Sequence, residues 1–490
     1  MSSVESIASR ESLELNSLLR LVVDNTHIPG VSVSVLYNGH LISAAAGVRS
    51  MTTMSSMSNR ARFDIGCITE TLVSLIALEL VSRGDLDLMA PIGTYLPDLG
   101  DTYKASQVLV WHLLSHSSGY QGPSREMEIE CAQSAQAWPQ FAEYLHQLPQ
   151  IFSPGTIFNY HVADYVILEE ILRRIKGMDA LQIVRATILD PLRISSRPTE
   201  PVAVAENSDD SEVDDHRWNR IAHCFEPIER VDSGPAQRSS LSNIRLSTND
   251  MIRLMEYIAA SHGDGSSPGI FQRTTAALFT KQVIRVPCSA AQRALISYGL
   301  GSGGYNDGTL GNYGSNSGQC CAIHFDRSFR VVIGVGISAP TVKLRNRLTA
   351  ELLRKYRSIR VTRNRSSRPC EGLTEADIVG LYIGGVAGQD LSIFGTDGDF
   401  RIKVHDKQSG KTMERCFSLD SHGELIFHKH APFLQYFFFR VEEAGGTVHL
   451  MCGWHAYKRL NNDQSISNDP REAVRGDPIG AAREFHSFLT

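Results

Sequence analysis

Residues 63–88 read FDIGCITETLVSLIALELVSRGDLDL, an apolar helix with a thiol, Cys67, at its mouth and a carboxylate, Glu70, one turn further on. Apolar residues recur at helical spacing from Cys67 onward, and Gly84 supplies the residue type that closes such a helix in a left-handed turn. Residues three apart share one side of a helix, so Glu70 is expected to reach Cys67. The two groups work against each other. Amides at a helix N-terminus favour a thiolate, whereas a neighbouring negative charge disfavours it. A carboxylate is costly to bury without purpose, which makes Glu70 a functional candidate. Cys67 reads equally as a nucleophile and as a small residue filling space.

Toward the N-terminus, GVSVSVLYNGHLISAAAG (residues 30–47) alternates apolar positions around a Tyr-Asn-Gly turn, the pattern of a β-hairpin. Residues 1–30 carry early acids and no basic-then-apolar leader. They predict a short amphipathic helix with Leu15, Leu18, Leu19 and Val22 on one side, and hence a cytoplasmic protein. Toward the C-terminus, SQVLVWHLLSHSS (106–118) is a second helical patch. SPGTIFNYHVADYVILEEILRRIKG runs from a Pro-Gly turn into a helix closed at Gly177, and STNDMIRLMEYIAASHG is a helix capped by Ser247 or Thr248. Between two of these helices, the acidic run from Glu206 to Asp215 reads as a solvated loop. Then the period changes to that of strands, in YGLGSGGYNDGTLGNYGSNSGQCCAIHFDRSFRVVIGVGIS.

Strands first and last with helices between them make residues 1–356 a mixed α/β (α+β) domain. The expected architecture is an antiparallel sheet of the terminal hairpin and the late strands, flanked by helices and joined by a helical subdomain. A ligand cleft is expected between the sheet edge and the helical part. Residues 357–371 are basic, polar and free of a core pattern, a linker. Residues 372–465 are short strands with Gly and Asp turns, an all-β module of barrel or sandwich type, and residues 466–490 form a polar tail.

A formal charge of −5 over 490 residues gives no electrostatic case for a nucleic-acid partner. The apolar runs are too short and interrupted to span a bilayer. Nine cysteines, an odd number without C-x-x-C pairs, suit reduced thiols and argue against a disulfide framework or a zinc site. Adjacent Cys320 and Cys321 point to opposite faces of a strand, and His428 with His430 lacks a third ligand. No metal and no cofactor is expected, and the oligomeric state stays open.

Five blocks, taken in order, resemble the serine β-lactamase family: residues 63–98, VLVWHLLSHSSGY, the SPGT helix, SSLSNIRLSTNDMIRLMEYI, and YGLGSGGYNDGTLGNYGSNSG. The branch they resemble is that of esterases, class C enzymes and penicillin-binding proteins, which includes fungal polyketide acyltransferases of the lovastatin pathway. The resemblance covers residues 10–355, and the C-terminal module is similar to lipocalin-like domains appended to some members. It implies three motifs. S-x-x-K falls on Cys67 and Glu70, so serine has become cysteine and lysine has become glutamate. Y-x-N falls on Tyr160, His161 and Val162, keeping the tyrosine and losing the asparagine. The K-T-G or H-x-G motif falls on Asn312, Tyr313 and Gly314, without the cation or imidazole. The GKT at Gly410–Thr412 is a chance match in the β module.

The resemblance implies catalytic roles for Cys67, Glu70 and Tyr160, and substrate-binding roles for His161, Asn312, Tyr313, Gly314 and Tyr120. His116 matches a fold-stabilising position and is set aside. The exchanged motifs argue against β-lactamase or peptidase activity. Three functions stay open. One is hydrolysis or transfer of an ester or thioester acyl group on a small metabolite, polyketide or terpenoid, with Cys67 as nucleophile and backbone amides as oxyanion donors. Another is an acid–base isomerisation, dehydration or cyclisation by Glu70 and Tyr160 in the same cleft. The third is a non-catalytic binding protein.

Overall fold

The computed structural model describes residues 3–99, 105, 107–122, 137–194, 212–219, 221–228, 244–262, 271–287, 295–316, 318–357, 373–384, 389–396, 399–406, 412–419, 425–427, 436–440, 448–452 and 455–459. Packing divides the chain into two compact units. The first comprises Met1–Leu86, Ile175–Lys281 and Gly301–Val361, the second Asp87–Arg174, Gln282–Leu300 and Thr362–Thr490. Most of the linker, the acidic run through residue 211, Gly410, Lys411, His428, His430 and the tail lie outside the described residues.

In the first unit the antiparallel sheet runs in the order His40–Gly47, Gly30–Tyr37, Val331–Ile337, Cys320–Asp326, Thr309–Ser315, Gly303–Tyr305. The terminal hairpin thus joins the late strands, as their alternation predicts. Asn38 and Gly39 close the hairpin at φ 49° and 81°, the positive values a two-residue turn requires. Val31, Val33 and Val35 are fully buried. Ser32 and Ser34 turn to the opposite face, where the Thr248 hydroxyl lies 2.8 Å from each. This polar seam fixes the start of the Thr248–His262 helix on the sheet. Ser247 caps that helix: its hydroxyl accepts from the Asp250 amide, and the Asp250 carboxylate accepts from Ser247 N–H.

The N-terminal helix, Ser3–Thr26, packs against the hairpin and is longer than the sequence pattern predicts. Leu15 and Leu19 are buried, whereas Leu18 is 41% exposed. Leu15 and Leu19 are one turn apart, and Leu18 is rotated off the stripe they define. The helix at the centre of the unit is Thr69–Arg83. It starts two residues later than its apolar pattern suggests, because Cys67 sits in a preceding 3₁₀ turn, Gly66–Ile68. Every residue from Thr69 to Leu80 is buried, the mark of a core helix with no solvent face. Gly84 ends it at φ 81°, as expected.

The second unit contains the helices Val110–Leu114, Ala137–Gln147 and Ala163–Lys176 and the hairpin Gln282–Arg285 with Leu295–Gly299. Its C-terminal part is one antiparallel eight-stranded sheet, ordered Leu425–Phe427, Thr412–Leu419, Asp399–Asp406, Gln389–Thr396, Gly380–Gly384, His455–Arg459, Val448–Cys452, Tyr436–Arg440. Tyr382, Leu391, Ile393, Phe400, Ile402, Phe417, Leu450 and Tyr457 form its core. A single continuous sheet makes this a half-barrel and not two stacked sheets. Within the unit, the Ala456 amide donates to Asn159 Oδ1 at 3.0 Å, and the His449 ring meets Phe152 edge-on at 5.7 Å. Among the described residues no helix is long and apolar enough to cross a membrane.

Candidate active site

In the first unit, the turn bearing Cys67 lies directly on the strand of the third motif. A side chain at Gly314 would come within 1.8 Å of the Ile65 carbonyl, and one at Gly66 within 2.9 Å of Ser315 N. Only glycine at both positions lets the two backbones approach this closely. The turn is fixed from both ends. Asp64 accepts the Gly66 amide at 3.0 Å, and the Thr69 hydroxyl donates to Gly66 O at 2.7 Å. Cys67 is half-buried in this turn, and Glu70 is buried in the first turn of the helix that follows.

Asn312 donates through Nδ2 to the Thr71 hydroxyl at 2.6 Å and to Gly301 O at 2.8 Å, so one N–H bond ties the strand to the central helix and the other to the segment that leads into the neighbouring strand. Tyr313, next in the strand, turns to the other face of the sheet. There the Arg345 guanidinium lies over its ring at 4.2 Å, with His324 at 4.6 Å and Tyr305 at 5.9 Å. Arg345 also donates to Gly314 O at 3.0 Å. Arg345, from the Val342–Arg357 helix, is therefore the cation against this strand, a residue that motif reading passed over. Burial pushes the Cys320 and Cys321 thiols up, and their sulfurs turn to Ala339 O and Asp64 O respectively. Neither is primed as a nucleophile.

In the second unit, Tyr160 is half-buried and His161 and Tyr120 are buried. Asn159 orders this group: its amide donates to His116 O at 2.8 Å and its Nδ2 to Tyr120 O at 3.1 Å. The His116 ring packs 4.5 Å from Tyr160, and Asp164 Oδ2 lies 3.7 Å from both His116 Nδ1 and His161 Nε2. Burial, and then the charge of Asp164, push the Tyr120 hydroxyl well above the ordinary phenol range, so it stays a proton-bearing group. Burial pulls His112 down to about 3, leaving a neutral ring whose Nδ1 accepts the Leu109 amide at 2.9 Å.

The structure therefore brings Cys67, Glu70, Asn312 and Gly314 together in one unit and Tyr160, His161 and Tyr120 together in the other. Sequence reading missed Asp164 and Asn159 and set His116 aside. The signal for Asp164 was the YHVAD spacing, which places it three residues after His161 and four after Tyr160.

The Beta-lactamase family model matches residues 15–350. The chain belongs to the β-lactamase family. It is a family of hydrolases, esterases and acyltransferases sharing this fold. The crystal structure of SurE aligns with this β-lactamase-family chain at a TM-score of 0.72 and 20% identity, covering 92% of this chain and 99% of SurE. EstCE1, a hydrolase with promiscuous acyltransferase activity, aligns at a TM-score of 0.55 and 18% identity, covering 67% of this chain and 94% of EstCE1. A β-lactamase from Providencia stuartii is 29% identical over 120 residues, 24% of this chain and 30% of that enzyme. The chain spans 30% to 45% of the length of this and three further curated relatives. The resemblance read from five sequence blocks therefore holds for family and fold.

Proposed function

We propose that the chain hydrolyses or transfers an ester- or thioester-linked acyl group on a small metabolite, of polyketide or terpenoid type, in the cytosol. Cys67 serves as the nucleophile in place of the family serine. The observation that carries this reading is the position of Cys67: half-buried at the start of the central helix, in a turn whose preceding residues, Ile65 and Gly66, abut the Gly314–Ser315 backbone. The amides of Cys67 and Ser315 are the donors to the developing oxyanion. Tyr160 takes the proton-transfer role that its place in the second motif implies, and Asn312, Gly314, His161 and Tyr120 shape substrate binding, whereas Tyr313, on the opposite face of the sheet under Arg345, is not part of this pocket.

Incubation of the full chain with p-nitrophenyl acetate, followed by peptide mapping by mass spectrometry, tests this. Mapping is needed because Cys224 and Cys416 are exposed. An acetyl group on Cys67 that is absent in Cys67→Ala supports the reading, whereas an unmodified Cys67 in the native chain overturns it.

The burial of Glu70 in the first turn of the central helix favours a second reading, in which Glu70 acts as general base or acid without a covalent intermediate. Under that reading Glu70→Gln abolishes turnover and Cys67→Ala has little effect. The opposite pattern excludes it.

A further inference from the structure

Asp164 stands in the first turn of the Ala163–Lys176 helix with its side chain 0% exposed. Its Oδ2 is equidistant, at 3.7 Å, from His116 Nδ1 and His161 Nε2, on side chains that are themselves 0% and 3% exposed. Among the described residues, tyrosines also pack against this cluster. Tyr120 feels the charge of Asp164, and Tyr160, Tyr165 and Tyr298 pack round His116 at 4.5, 5.0 and 5.1 Å. None of these is a cation. The amides of the helix N-terminus offset part of a buried negative charge, and the remainder calls for a full positive charge nearby. Only an imidazole among these neighbours can supply it.

We propose that His116, Asp164 and His161 form a buried cluster holding one proton in common, and that Asp164 is the positioning residue for His161 and, through His116, for Tyr160. With one imidazole protonated the cluster is neutral. Removing that proton leaves a lone anion among aromatic rings, and adding a second leaves a lone cation. Both histidine nitrogens face the same oxygen at the same distance, so either ring can carry the charge. With the proton on His116, a cation lies against the ring of Tyr160 and eases loss of the phenolic proton; with it on His161, that help is withdrawn. The part Asp164 plays resembles that of a carboxylate orienting a catalytic imidazole, here with two imidazoles sharing one carboxylate. Its catalytic use rests on the reading of Tyr160 as a site residue, whereas the shared proton does not.

Nitrogen-15 spectra of the histidine rings in the full-length chain, followed across neutral pH, test the shared proton. His116→Asn and His161→Asn assign the two rings. One imidazolium per molecule, distributed over these two rings at neutral pH, is expected. Asp164→Asn should lower its titration by about one pH unit or more. Two neutral rings at pH 7 in the native chain, or an unchanged titration in a folded Asp164→Asn, overturn the proposal. Should Asp164→Asn not fold, His161→Asn decides: the imidazolium then resides on His116, and a neutral His116 overturns the proposal. The pH profile of ester turnover reads the catalytic use separately. An acid limb that shifts down with the imidazole in Asp164→Asn supports it, and an unshifted limb overturns that use alone. An absence of turnover in the native chain overturns the acyl-transfer reading and leaves the cluster to the spectra.

Discussion

The backbone amide of Ala456 donates to Oδ1 of Asn159 across 3.0 Å, tying the C-terminal sheet to the residue that precedes Tyr160. The same side chain donates through Nδ2 to Tyr120 O at 3.1 Å, so one asparagine joins three segments that are distant in sequence. Asn159→Ala leaves a buried amide and a buried carbonyl without these bonds, at a cost of about 2–3 kcal/mol. Hydrogen exchange checks this: the amide of Ala456 should exchange far faster in the variant, with the pattern of the Gly30–Tyr37 strand unchanged.

Gly314→Ala is expected to be among the most damaging single-methyl changes in the first unit. The added carbon would lie 1.8 Å from the Ile65 carbonyl, a contact that only backbone movement relieves. A loss of about 3 kcal/mol or more is expected. Gly39→Ala is the control. Nothing lies within 4 Å of the added carbon, so only the left-handed backbone at φ 81° is penalised, at about 1 kcal/mol. Thermal melts of the two variants should differ accordingly, and equal melts would contradict the close approach.

Arg345 is held by shape as well as charge. Its guanidinium lies 4.2 Å over Tyr313 and donates to Gly314 O, contacts that a lysine ammonium does not reproduce. Arg345→Lys is expected to destabilise by about 1–2 kcal/mol despite conserving charge. A double-mutant cycle with Tyr313→Leu should return a coupling of about 0.5–1 kcal/mol. Additive effects would show that the ring and the cation are independent.

Two buried histidines make the second unit acid-sensitive before its carboxylates titrate. Burial depresses His112 from 6.5 to about 3 and His449 to about 4. The unfolded chain therefore takes up protons that the folded chain refuses. The stability is complete above pH 6.5 and declines as pH falls below it, by about 1.4 kcal/mol per pH unit for each ring, until that ring protonates in the folded state. His112→Asn keeps an acceptor for the Leu109 amide and should flatten the fall of the melting temperature between about pH 6.5 and 5. An unchanged slope would mean that His112 is charged in the fold.

Much of the first unit was legible because its signals are local. The valines and serines of residues 31–35 alternate, the Asn38-Gly39 pair demands a tight turn, and Gly84 follows an unbroken apolar run. Leu18 was misplaced because a short leucine-rich stretch fits more than one helical stripe, and only the sheet beneath it chooses between them. For the candidate site the sequence offered motif positions alone, Cys67, Glu70 and Tyr160. Contacts made with a distant partner left no mark in it. Arg345 is thirty-one residues from the carbonyl it binds, and Asn159 is 297 residues from the amide it accepts.

The sequence by itself determined the family and the helix behind Cys67, because each is written in neighbouring residues. Only the tertiary structure decided that Gly314 is a point of backbone contact, that Asn312 spends both N–H bonds on the fold, and that one carboxylate stands midway between two buried imidazoles. Burial and hydrogen bonding between remote segments set these roles, and no local pattern records which remote segment arrives.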